Sequence, residues 1–566
     1  MDSTNAELPW SRSYDREVPM TLSYPEQPVF ELFLRSARDN PDRTALLFFG
    51  TAMSYSRLKR HVESMVSALA DLGIGRGCRV ALLLPNSPQY VISYYSIMMT
   101  GATVVPMNPL NTETELMYIL RDGGVRAVVA LDLFADRVES VRRKFREAGE
   151  PHLLEHVYYT SLREFMPFPL KQLYPLSQKL PPGTKEHLSG SRRFIDLIRH
   201  SPRPYKPPEV DIYKDEAVLI YTGGTTGRPK GVMLSHRALV VNPSHGGAWV
   251  QVTPEDRLLT VLPVFHGFGM SVCMNLPVIY GASMVLLPRF NVREVLRAIH
   301  RYRPTLFAGV PTMYIGLINH PELSRYDLSS LRGCFAGASA LAPEVKRRFE
   351  ELTGGRLMEG YGLTEAVTAK CCNPFRGANK TGSIGVPFPD TVMRVVDLET
   401  GETEMPPGEI GEFVLQSPDM MLGYYNRPEE NASAVRNGWL HTGDLGYMDE
   451  DGYFFMVDRL KDLIITGGFN VYPREVEDVL HQHPAVRETS VIGVRGEFQD
   501  EVVKAFVTLK DGCAADPGEI IRFCRQHLVP YKVPRQVEIC PDLPKSIIGK
   551  ILKQPLREQS DKTAAL

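Results

Sequence analysis

The run YTGGTTGRPKGVMLSH, from Tyr221 to His236, contains the residue types that bind phosphate oxygens. Three glycines let the backbone approach a ligand closely, and four further residues offer hydroxyls and one cation. The glycines are Gly223, Gly224 and Gly227, and the polar residues are Thr222, Thr225, Thr226 and Lys230. The run therefore predicts a phosphate-binding loop. A glycine-rich turn between a strand and a helix has a similar composition and stays open as the alternative.

This run is not a P-loop. A P-loop requires the spacing G-x-x-x-x-G-K-[ST], whereas here Arg228 and Pro229 separate the last glycine from Lys230, and Gly231 follows the lysine. The phosphate-binding prediction therefore rests on glycines, hydroxyls and one cation, and it needs no P-loop spacing.

The elements around this run predict two α/β lobes. From Pro28 onward, amphipathic helix patterns alternate with short apolar runs, as in HVESMVSALADLG followed by RVALLLP. Such alternation is typical of βαβ units and a mostly parallel sheet. A second stretch, from about Leu258 to Glu359, repeats the rhythm. Between the two, residues 151–210 carry many prolines and mixed charge, and they predict an insertion packed over the surface.

The character of the chain changes after Thr381. Alternating β segments separated by turns, including the hairpin pattern YMDEDGYFFMVDR, predict a β-rich lobe. The last hundred residues predict a small α+β domain, with a proline-started helix from Pro473 to Gln482 and a second helix near Glu519 to His527. The predicted fold class is α/β, with a large N-terminal domain of two α/β lobes plus a β-rich lobe, and a small α+β C-terminal domain. The predicted boundaries are 1–27 for an N-terminal extension, 28–458 for the N-terminal domain and 459–566 for the C-terminal domain.

Composition excludes several classes of protein. With 566 residues the chain can bury several cores, and its 64 Lys and Arg against 66 Asp and Glu give a formal charge of −2, so no broad attraction to nucleic acid is expected. The eight cysteines include no CxxC pair, which disfavours a zinc site or a disulfide framework and indicates a reducing compartment. The first residues are polar and acidic, unlike a secretory signal. We therefore expect the cytoplasm.

One stretch could be mistaken for a membrane span. Residues Leu258 to Pro288 contain no Asp, Glu, Lys or Arg. Prolines and glycines interrupt the stretch at short intervals, so a buried strand, turn, helix and strand are expected instead of a 20-residue apolar helix. No transmembrane segment is predicted. The sequence leaves open a peripheral membrane contact and a homodimer.

The phosphate-loop run resembles the signature of the adenylate-forming superfamily, which includes acyl-CoA synthetases, peptide-synthetase adenylation domains and firefly-type luciferases. Further motifs of that superfamily follow in the expected order: GASALAP at 337–343, YGLTEA at 361–366, WLHTGDLGYMDEDGYFFMVDRLKDLIITGGFNVYPREVE at 439–477 and LPKSIIGKIL at 543–552. The resemblance spans about Pro28 to Glu558. It is to the acyl-CoA synthetase branch, and within it to bacterial medium- and long-chain fatty acid CoA ligases.

The resemblance implies a role for each matching residue. ATP or AMP would be bound by Thr222, Gly223, Gly224, Thr225, Thr226, Gly227, Lys230, Gly337, Ala338, Ser339, Tyr361, Gly362, Asp444 and Arg459. The implied catalytic residues are Thr364, Glu365 and Lys550, with Glu365 as the Mg²⁺ ligand. His266 would line the mouth of the acyl pocket, Lys461 would be the hinge of a mobile C-terminal domain, and Gly468 would lie along the path of CoA. Singly, each residue also has a structural explanation, and a buried structural histidine is the alternative for His266.

The implied reaction has two steps. A carboxylic acid attacks the α-phosphate of ATP to give acyl-AMP and pyrophosphate, and the CoA thiol then attacks the acyl-AMP. The run from 437 to 462 and the 151–210 insertion resemble those of fatty acid enzymes, which favours a medium- or long-chain acid. An aryl or short-chain acid remains the alternative, because distant residues build the pocket. A luciferase-like oxygenase is a lesser alternative, and Glu365, Asp444, Lys461 and Lys550 together argue against a non-catalytic binding protein.

Overall fold

The computed structural model of the chain describes residues 8–177, 192–200, 202–222, 229–466, 469–495, 501–545 and 551–564. Over these ranges the strands, in chain order, are β1 (Thr44–Phe48), β2 (Thr51–Ser54), β3 (Arg79–Leu83), β4 (Thr103–Pro106), β5 (Ala127–Leu131), β6 (His156–Thr160), β7 (Arg192–Arg193), β8 (Glu216–Thr222), β9 (Lys230–Ser235), β10 (Arg257–Thr260), β11 (Ser283–Leu286), β12 (Leu306–Gly309), β13 (Gly333–Ala336), β14 (Arg356–Gly362), β15 (Ala369–Cys372), β16 (Val386–Pro387), β17 (Val392–Val396), β18 (Gly411–Gln416), β19 (Gly423–Tyr424), β20 (Val435–Arg436), β21 (Trp439–Met448), β22 (Phe454–Arg459), β23 (Ile464–Thr466), β24 (Phe469–Val471), β25 (Val486–Arg495), β26 (Glu501–Leu509) and β27 (Gln536–Ile539).

The α-helices of the same ranges are α1 (Val29–Asp39), α2 (Tyr55–Asp71), α3 (Pro88–Met99), α4 (Glu113–Asp122), α5 (Ala135–Glu147), α6 (Leu170–Ser177), α7 (Phe194–Arg199), α8 (His236–Val250), α9 (Leu276–Ile279), α10 (Val292–Tyr302), α11 (Pro311–Ile318), α12 (Pro343–Thr353), α13 (Pro428–Ala434), α14 (Pro473–His481), α15 (Pro517–His527) and α16 (Lys553–Ala564). A π-helix, Gly269–Asn275, precedes α9. Short 3₁₀ turns include Thr364–Ala366 and Leu460–Asp462.

Two large sheets form the N-terminal part of the chain. Within the described ranges, one has eight strands in the order β19-β9-β8-β4-β3-β5-β6-β7, and the other has nine in the order β16-β15-β14-β13-β12-β10-β11-β1-β2. The nine-stranded sheet is parallel from β14 through to β1. Helices connect its parallel strands, as the alternating sequence pattern predicts. The predicted α/β fold class is confirmed.

Local sequence signals set where the helices begin. The Ser235 hydroxyl accepts a hydrogen bond from the backbone N–H of Ala238 at 3.1 Å and so caps α8. Helices α11, α14 and α15 each have proline in the first turn, where the missing N–H costs nothing. These signals fix the helices that flank the candidate site.

The charge-free stretch from Leu258 to Pro288 lies in the core. It contains β10, the π-helix, α9 and β11, and most of its apolar side chains are buried. In the part of the chain that the structure describes, no helix is long and apolar enough to cross a membrane. In the described parts of the range 151–210, β6 pairs with β5, and α7 buries Phe194 and Leu197.

The β-rich lobe and the C-terminal domain follow in sequence. Strands β17, β18, β21, β20 and β22 form a five-stranded antiparallel sheet. Beyond the turn at Leu460–Asp462, β25, β26 and β27 form a sheet that packs with α14 and α15 around a hydrophobic core of its own, including Val476, Val491 and Ile520. A separate core is what a small domain needs in order to move as a unit.

Candidate active site

The carboxyl ends of the parallel strands in the nine-stranded sheet bring the predicted site residues together. His266 follows β10, Val310 follows β12, Gly337 to Ser339 follow β13, and Tyr361 and Gly362 end β14. In open parallel sheets, ligands bind at this edge. Four segments that are far apart in the sequence, three of them with predicted site residues, therefore converge at the carboxyl end of this sheet.

The described ends of the phosphate-loop run are two antiparallel strands, β8 and β9, and helix α8 follows β9. Thr222, the last residue of β8, pairs with Lys230, the first residue of β9, in an antiparallel register. Strand β9 within this run was not predicted from the sequence. Gly223, Gly224, Thr225, Thr226 and Gly227 lie outside the described residues, so the structure fixes the two ends of the loop, Thr222 and Lys230.

Tyr424 connects this hairpin to the turn that holds Thr364 and Glu365. Its hydroxyl donates a hydrogen bond to Glu365 Oε1 at 2.8 Å. The ammonium group of Lys230 lies 5.1 Å from the centroid of the Tyr424 ring and 3.9 Å from Glu430 Oε1. Burial, and then the charge of Glu365, raise the pKa of Tyr424, so the phenol stays a proton donor. The predicted phosphate ligand Lys230 and the predicted metal ligand Glu365 thus share one neighbour.

A second cluster joins Tyr361, Asp444 and Arg459. The Tyr361 hydroxyl donates to Asp444 Oδ2 at 2.6 Å, and Arg459 Nε lies 3.0 Å from Asp444 Oδ1. Asp444 and Arg459 are direct partners in the β21–β22 register, and Asp444 is buried. Burial, followed by the Asp444 carboxylate, raises the pKa of Tyr361. A carboxylate accepts more than one hydrogen bond per oxygen, so Asp444 retains capacity for sugar hydroxyls.

Two glycines allow the backbone of the site to pack closely. A Cβ atom at Gly362 would lie 1.9 Å from the carbonyl oxygen of Thr368, which excludes any side chain there. A Cβ atom at Gly337 would lie 3.3 Å from Phe268 Cε1. The next residue, Ala338, has a φ of 71° and therefore turns the backbone sharply after β13.

His266 lies at a small apolar cavity. The cavity is about 10 Å³ and is lined by Leu262, Pro263, His266, Phe268, Gly269, Val310 and Ala338. The His266 ring accepts a hydrogen bond from the backbone N–H of Phe268 at its Nδ1 atom, at 3.3 Å. The predicted acyl-pocket residue His266 and the predicted nucleotide residue Ala338 therefore share one cavity wall.

Lys461 lies in the 3₁₀ turn that joins the β-rich sheet to the C-terminal domain. The Arg557 guanidinium, from α16, donates to Asp462 Oδ1 at 2.8 Å, and the backbone N–H of Arg474 donates to Asp458 Oδ2 at 2.8 Å. Gly468 and Lys550 lie outside the described residues.

Tyr424 and Glu359 were not predicted as site residues from the sequence. The segment GYYNRP around Tyr424 combines an aromatic pair with a turn near the end of the N-terminal part, and this was an available signal. Glu359 is a carboxyl group in the middle of strand RLMEGYG, two residues before the predicted Tyr361. A charged residue in a buried strand needs an explanation.

Glu359 makes the stability of the site depend on pH. Its side chain is buried, and Oε1 accepts a hydrogen bond from the backbone N–H of Leu341 at 3.3 Å. Burial raises the pKa of Glu359 to about 7. The hydrogen bond from Leu341 and the positive charges of Arg474 and Lys346 lower this pKa, but burial has the larger effect. At pH values between an ordinary carboxyl pKa and this raised pKa, Glu359 keeps its proton in the folded protein and releases it in the unfolded chain. Stability from this group is therefore lost as the pH rises through that window.

Glu359→Gln is expected to raise the unfolding temperature at pH 8 by roughly 2–4 °C and to change it little at pH 4. Glutamine resembles the protonated acid and keeps the acceptor for Leu341, so the penalty of a buried charge disappears. Thermal unfolding of both proteins between pH 4 and 8 measures the effect. A constant difference across this range would contradict the assignment of the raised pKa to Glu359.

Comparisons with known proteins identify the family. A family model described as AMP-binding enzyme matches residues 33–425, more than half of the chain. The chain belongs to the AMP-binding enzyme family. A second model, the AMP-binding enzyme C-terminal domain, matches residues 475–550. The predicted membership of the adenylate-forming superfamily is confirmed.

This AMP-binding enzyme has full-length relatives. It is 42% identical over 562 residues to the long-chain-fatty-acid–CoA ligase of Bacillus subtilis, with 98% of each chain covered. It is 36% identical over 569 residues to the long-chain-fatty-acid–CoA ligase of Salmonella typhimurium, covering 97% of this chain and 98% of the relative. The solved structure of the anthranilate CoA ligase AuaEII in complex with anthranoyl-AMP is 29% identical, has a TM-score of 0.83 and covers 97% of this chain and 99% of that one.

Proposed function

We propose that this AMP-binding enzyme is an acid–CoA ligase that activates a medium- or long-chain fatty acid to acyl-AMP and transfers the acyl group to CoA. The observation that carries the proposal is the wall shared by His266 and Ala338. It supports the proposal because a residue expected at the mouth of the acyl pocket and a residue expected to contact the nucleotide line the same apolar cavity, as a meeting of the fatty carboxylate with the α-phosphate requires. The fatty acid assignment is supported by the full-length relatives named as long-chain-fatty-acid–CoA ligases.

In the first step, different residues bind the ribose, the phosphates and the carboxylate. Asp444 accepts hydrogen bonds from the ribose hydroxyls, and its orientation is fixed by the Tyr361 hydroxyl at 2.6 Å. The phosphate loop, from Thr222 to Lys230, surrounds the phosphates, while the wall formed by His266 and Ala338 directs the carboxylate toward them. The Lys550 ammonium stabilises the negative charge that accumulates as the carboxylate attacks. Holding both reactants in this geometry converts a bimolecular step into a unimolecular one.

Magnesium fits the donor set at Glu365. Mg²⁺ in nucleotide sites is held by one or two carboxylates together with substrate phosphates and water, and the Glu365 carboxylate is a hard oxygen ligand of this kind. The neighbouring Thr364 hydroxyl would donate a hydrogen bond to the α-phosphate. Over the described ranges, no group of three or more His, Cys, Asp or Glu could hold a metal ion. When bound, magnesium would neutralise charge on the phosphates.

The second step uses another face of the C-terminal domain. We propose that the domain rotates about Lys461, removing Lys550 and bringing Gly468 to the path of the CoA thiol. A 3₁₀ turn between two separately packed cores is the kind of short connection that absorbs such a rotation. We place the reaction in the cytoplasm, because the eight cysteines are free of disulfides.

The proposal is tested with the purified full chain, Mg²⁺, ATP, CoA and acids from acetate to oleate. We expect one AMP formed and one CoA thiol consumed for each fatty acid used. AMP formation without loss of thiol would indicate another acyl acceptor. Oxygen uptake or light emission would indicate the luciferase-like alternative.

An aryl acid is the second candidate substrate. The structural neighbour with a TM-score of 0.83 is a ligase in complex with anthranoyl-AMP, so this fold accommodates an aromatic acyl group in that protein. Benzoate and coumarate therefore belong in the same assay, and a preference for either would select this candidate.

A further inference from the structure

The turn directly after Glu365 has a strained backbone. Val367 has φ 62° and ψ −61°, and the backbone N–H of Thr368 donates to the carbonyl of Ala366 at 2.7 Å. These values describe a γ-turn of the rare, unfavourable hand, centred on a β-branched residue. Such a conformation persists only where the surrounding structure holds it.

One buried amide holds both ends of this turn. The Asn242 side chain, from α8, donates through Nδ2 to the carbonyl of Ala369 at 3.1 Å and to Asp419 Oδ2 at 2.8 Å. Its Oδ1 accepts a hydrogen bond from the Ser271 hydroxyl, in the π-helix, at 2.6 Å. The same Nδ2 lies 3.5 Å from the carbonyl of Ala366. All polar atoms of this amide are used, so its orientation is fixed.

Asp419 is held in turn by a fully buried ion pair. The Lys370 and Asp419 side chains both have 0% exposure and form a short ion pair. The Lys370 ammonium also donates to the Ser417 hydroxyl at 3.3 Å, and that hydroxyl donates to Asp419 Oδ1. A buried pair of this kind contributes little to stability compared with apolar residues, but losing one partner leaves an uncompensated charge. Such a pair therefore calls for an explanation other than stability.

The segment that carries Asp419 also holds the backbone of Glu365. The backbone N–H of Met421 donates to the carbonyl of Glu365 at 2.7 Å. The turn therefore has three attachments near Glu365: Met421 at the carbonyl of Glu365, Asn242 at the carbonyl of Ala369, and the ion pair behind Asn242. None of these groups is part of the proposed reaction.

We propose that Lys370, Asp419 and Asn242 are positioning residues that hold the strained turn at Val367 and so aim Glu365 at the nucleotide phosphates. This inference rests on the proposed function, in which Glu365 acts only in the adenylation step. Without the cluster, the γ-turn relaxes and Glu365 turns away from the phosphates. The second step, which does not use Glu365, is unaffected.

The test uses Asn242→Leu, which has the same branched shape without the polar atoms and keeps the ion pair. We expect acyl-AMP formation to fall about a hundredfold, as a displacement of about 1 Å at a reacting group would cause. The Mg²⁺ concentration for half-maximal adenylation should rise, while thioester formation from supplied acyl-AMP should keep the wild-type rate. In the ligand-free protein, hydrogen exchange at the amides of Thr368 and Met421 should accelerate.

A second variant distinguishes an adenylation defect from a loss of folding. Lys370→Met combined with Asp419→Leu removes both charges at once and should keep the wild-type unfolding temperature while showing the same adenylation defect. The control is Arg332→Met with Asp256→Leu, which removes an ion pair of 2.8 Å. Asp256 precedes the first residue of β10, at the end of that strand away from the candidate site. This control should leave the ratio of the two half-reaction rates unchanged.

Two results would overturn the proposal. If the Asn242 and Lys370 variants lose both half-reactions in proportion to their unfolding temperature, the cluster is only structural. If adenylation and amide exchange stay at wild-type values, the turn does not depend on the cluster. A wild-type protein that releases no pyrophosphate with any acid would instead refute the proposed function. The hydrogen-exchange measurement would still test whether Lys370, Asp419 and Asn242 hold the turn at Val367.

Discussion

Lys550→Ala is expected to slow acyl-AMP formation by at least about a hundredfold, the cost of losing one preorganised group that stabilises transition-state charge. The residue lies in SIIGK, and the resemblance makes it the cation that faces the attacking carboxylate and the α-phosphate. Both of those groups are negative, so the charge to be stabilised is concentrated at one place. Pyrophosphate release in a single turnover measures the effect, and thioester formation from supplied acyl-AMP should survive.

Lys545 provides the matched control in the same motif. Its ammonium group lies 2.8 Å from Glu488 Oε2 and 3.3 Å from Asp542 Oδ1, so it is already engaged on the C-terminal domain. Lys545→Ala should therefore leave both half-reactions close to wild type.

Lys461→Pro should show the opposite profile to Lys550→Ala, with adenylation retained and CoA transfer suppressed. Proline fits the φ of a 3₁₀ turn and restricts rotation there. An equal loss of both steps in Lys550→Ala would make Lys550 structural.

The architecture was predictable from the sequence because the decisive signals are local. Helix and strand periods alternate along the N-terminal part, and prolines mark the starts of α14 and α15. One element that was not predicted is β9. KGVMLS follows a glycine-rich loop and precedes a helix, so only its pairing with β8 shows that it is a strand.

Much of the candidate site could not be predicted, because its contacts join residues far apart in the chain. The hydrogen bond from Tyr424 to Glu365 spans 59 positions, and that from Asn242 to Asp419 spans 177. Neither pair has a spacing that a helix or a strand would reveal. The strained turn at Val367 could not be predicted for another reason. Valine ordinarily avoids a positive φ, so its presence in the sequence does not indicate such a turn. Sequence motifs identify which residues take part, and tertiary contacts decide how they are held.

Specificity constants are expected to rise about two-hundredfold from butyrate to octanoate, because each of the four added methylenes contributes about 0.8 kcal/mol when buried. The cavity beside His266 is about 10 Å³, room for about one water molecule. An octanoyl chain therefore has to move part of the wall. Phe268 is suited to this movement, because its ring lies at the cavity and is only partly buried. Steady-state kcat/KM over a series of straight-chain acids measures the increment for each methylene.

Val310→Trp tests whether the chain runs past this cavity. Val310 is buried and lines the cavity, so a larger side chain there should block the path of the acyl chain. We expect the variant to keep most of its rate on butyrate and to lose the rise toward octanoate, and the KM for ATP, measured beside it, reports any effect on Ala338 in the same cavity wall. The retained butyrate activity shows that the variant is folded. A wild-type response that is flat beyond butyrate, or a preference for benzoate or coumarate, would mean that the pocket is short and closed, and the substrate would then be an aryl or short-chain acid within the same two-step mechanism.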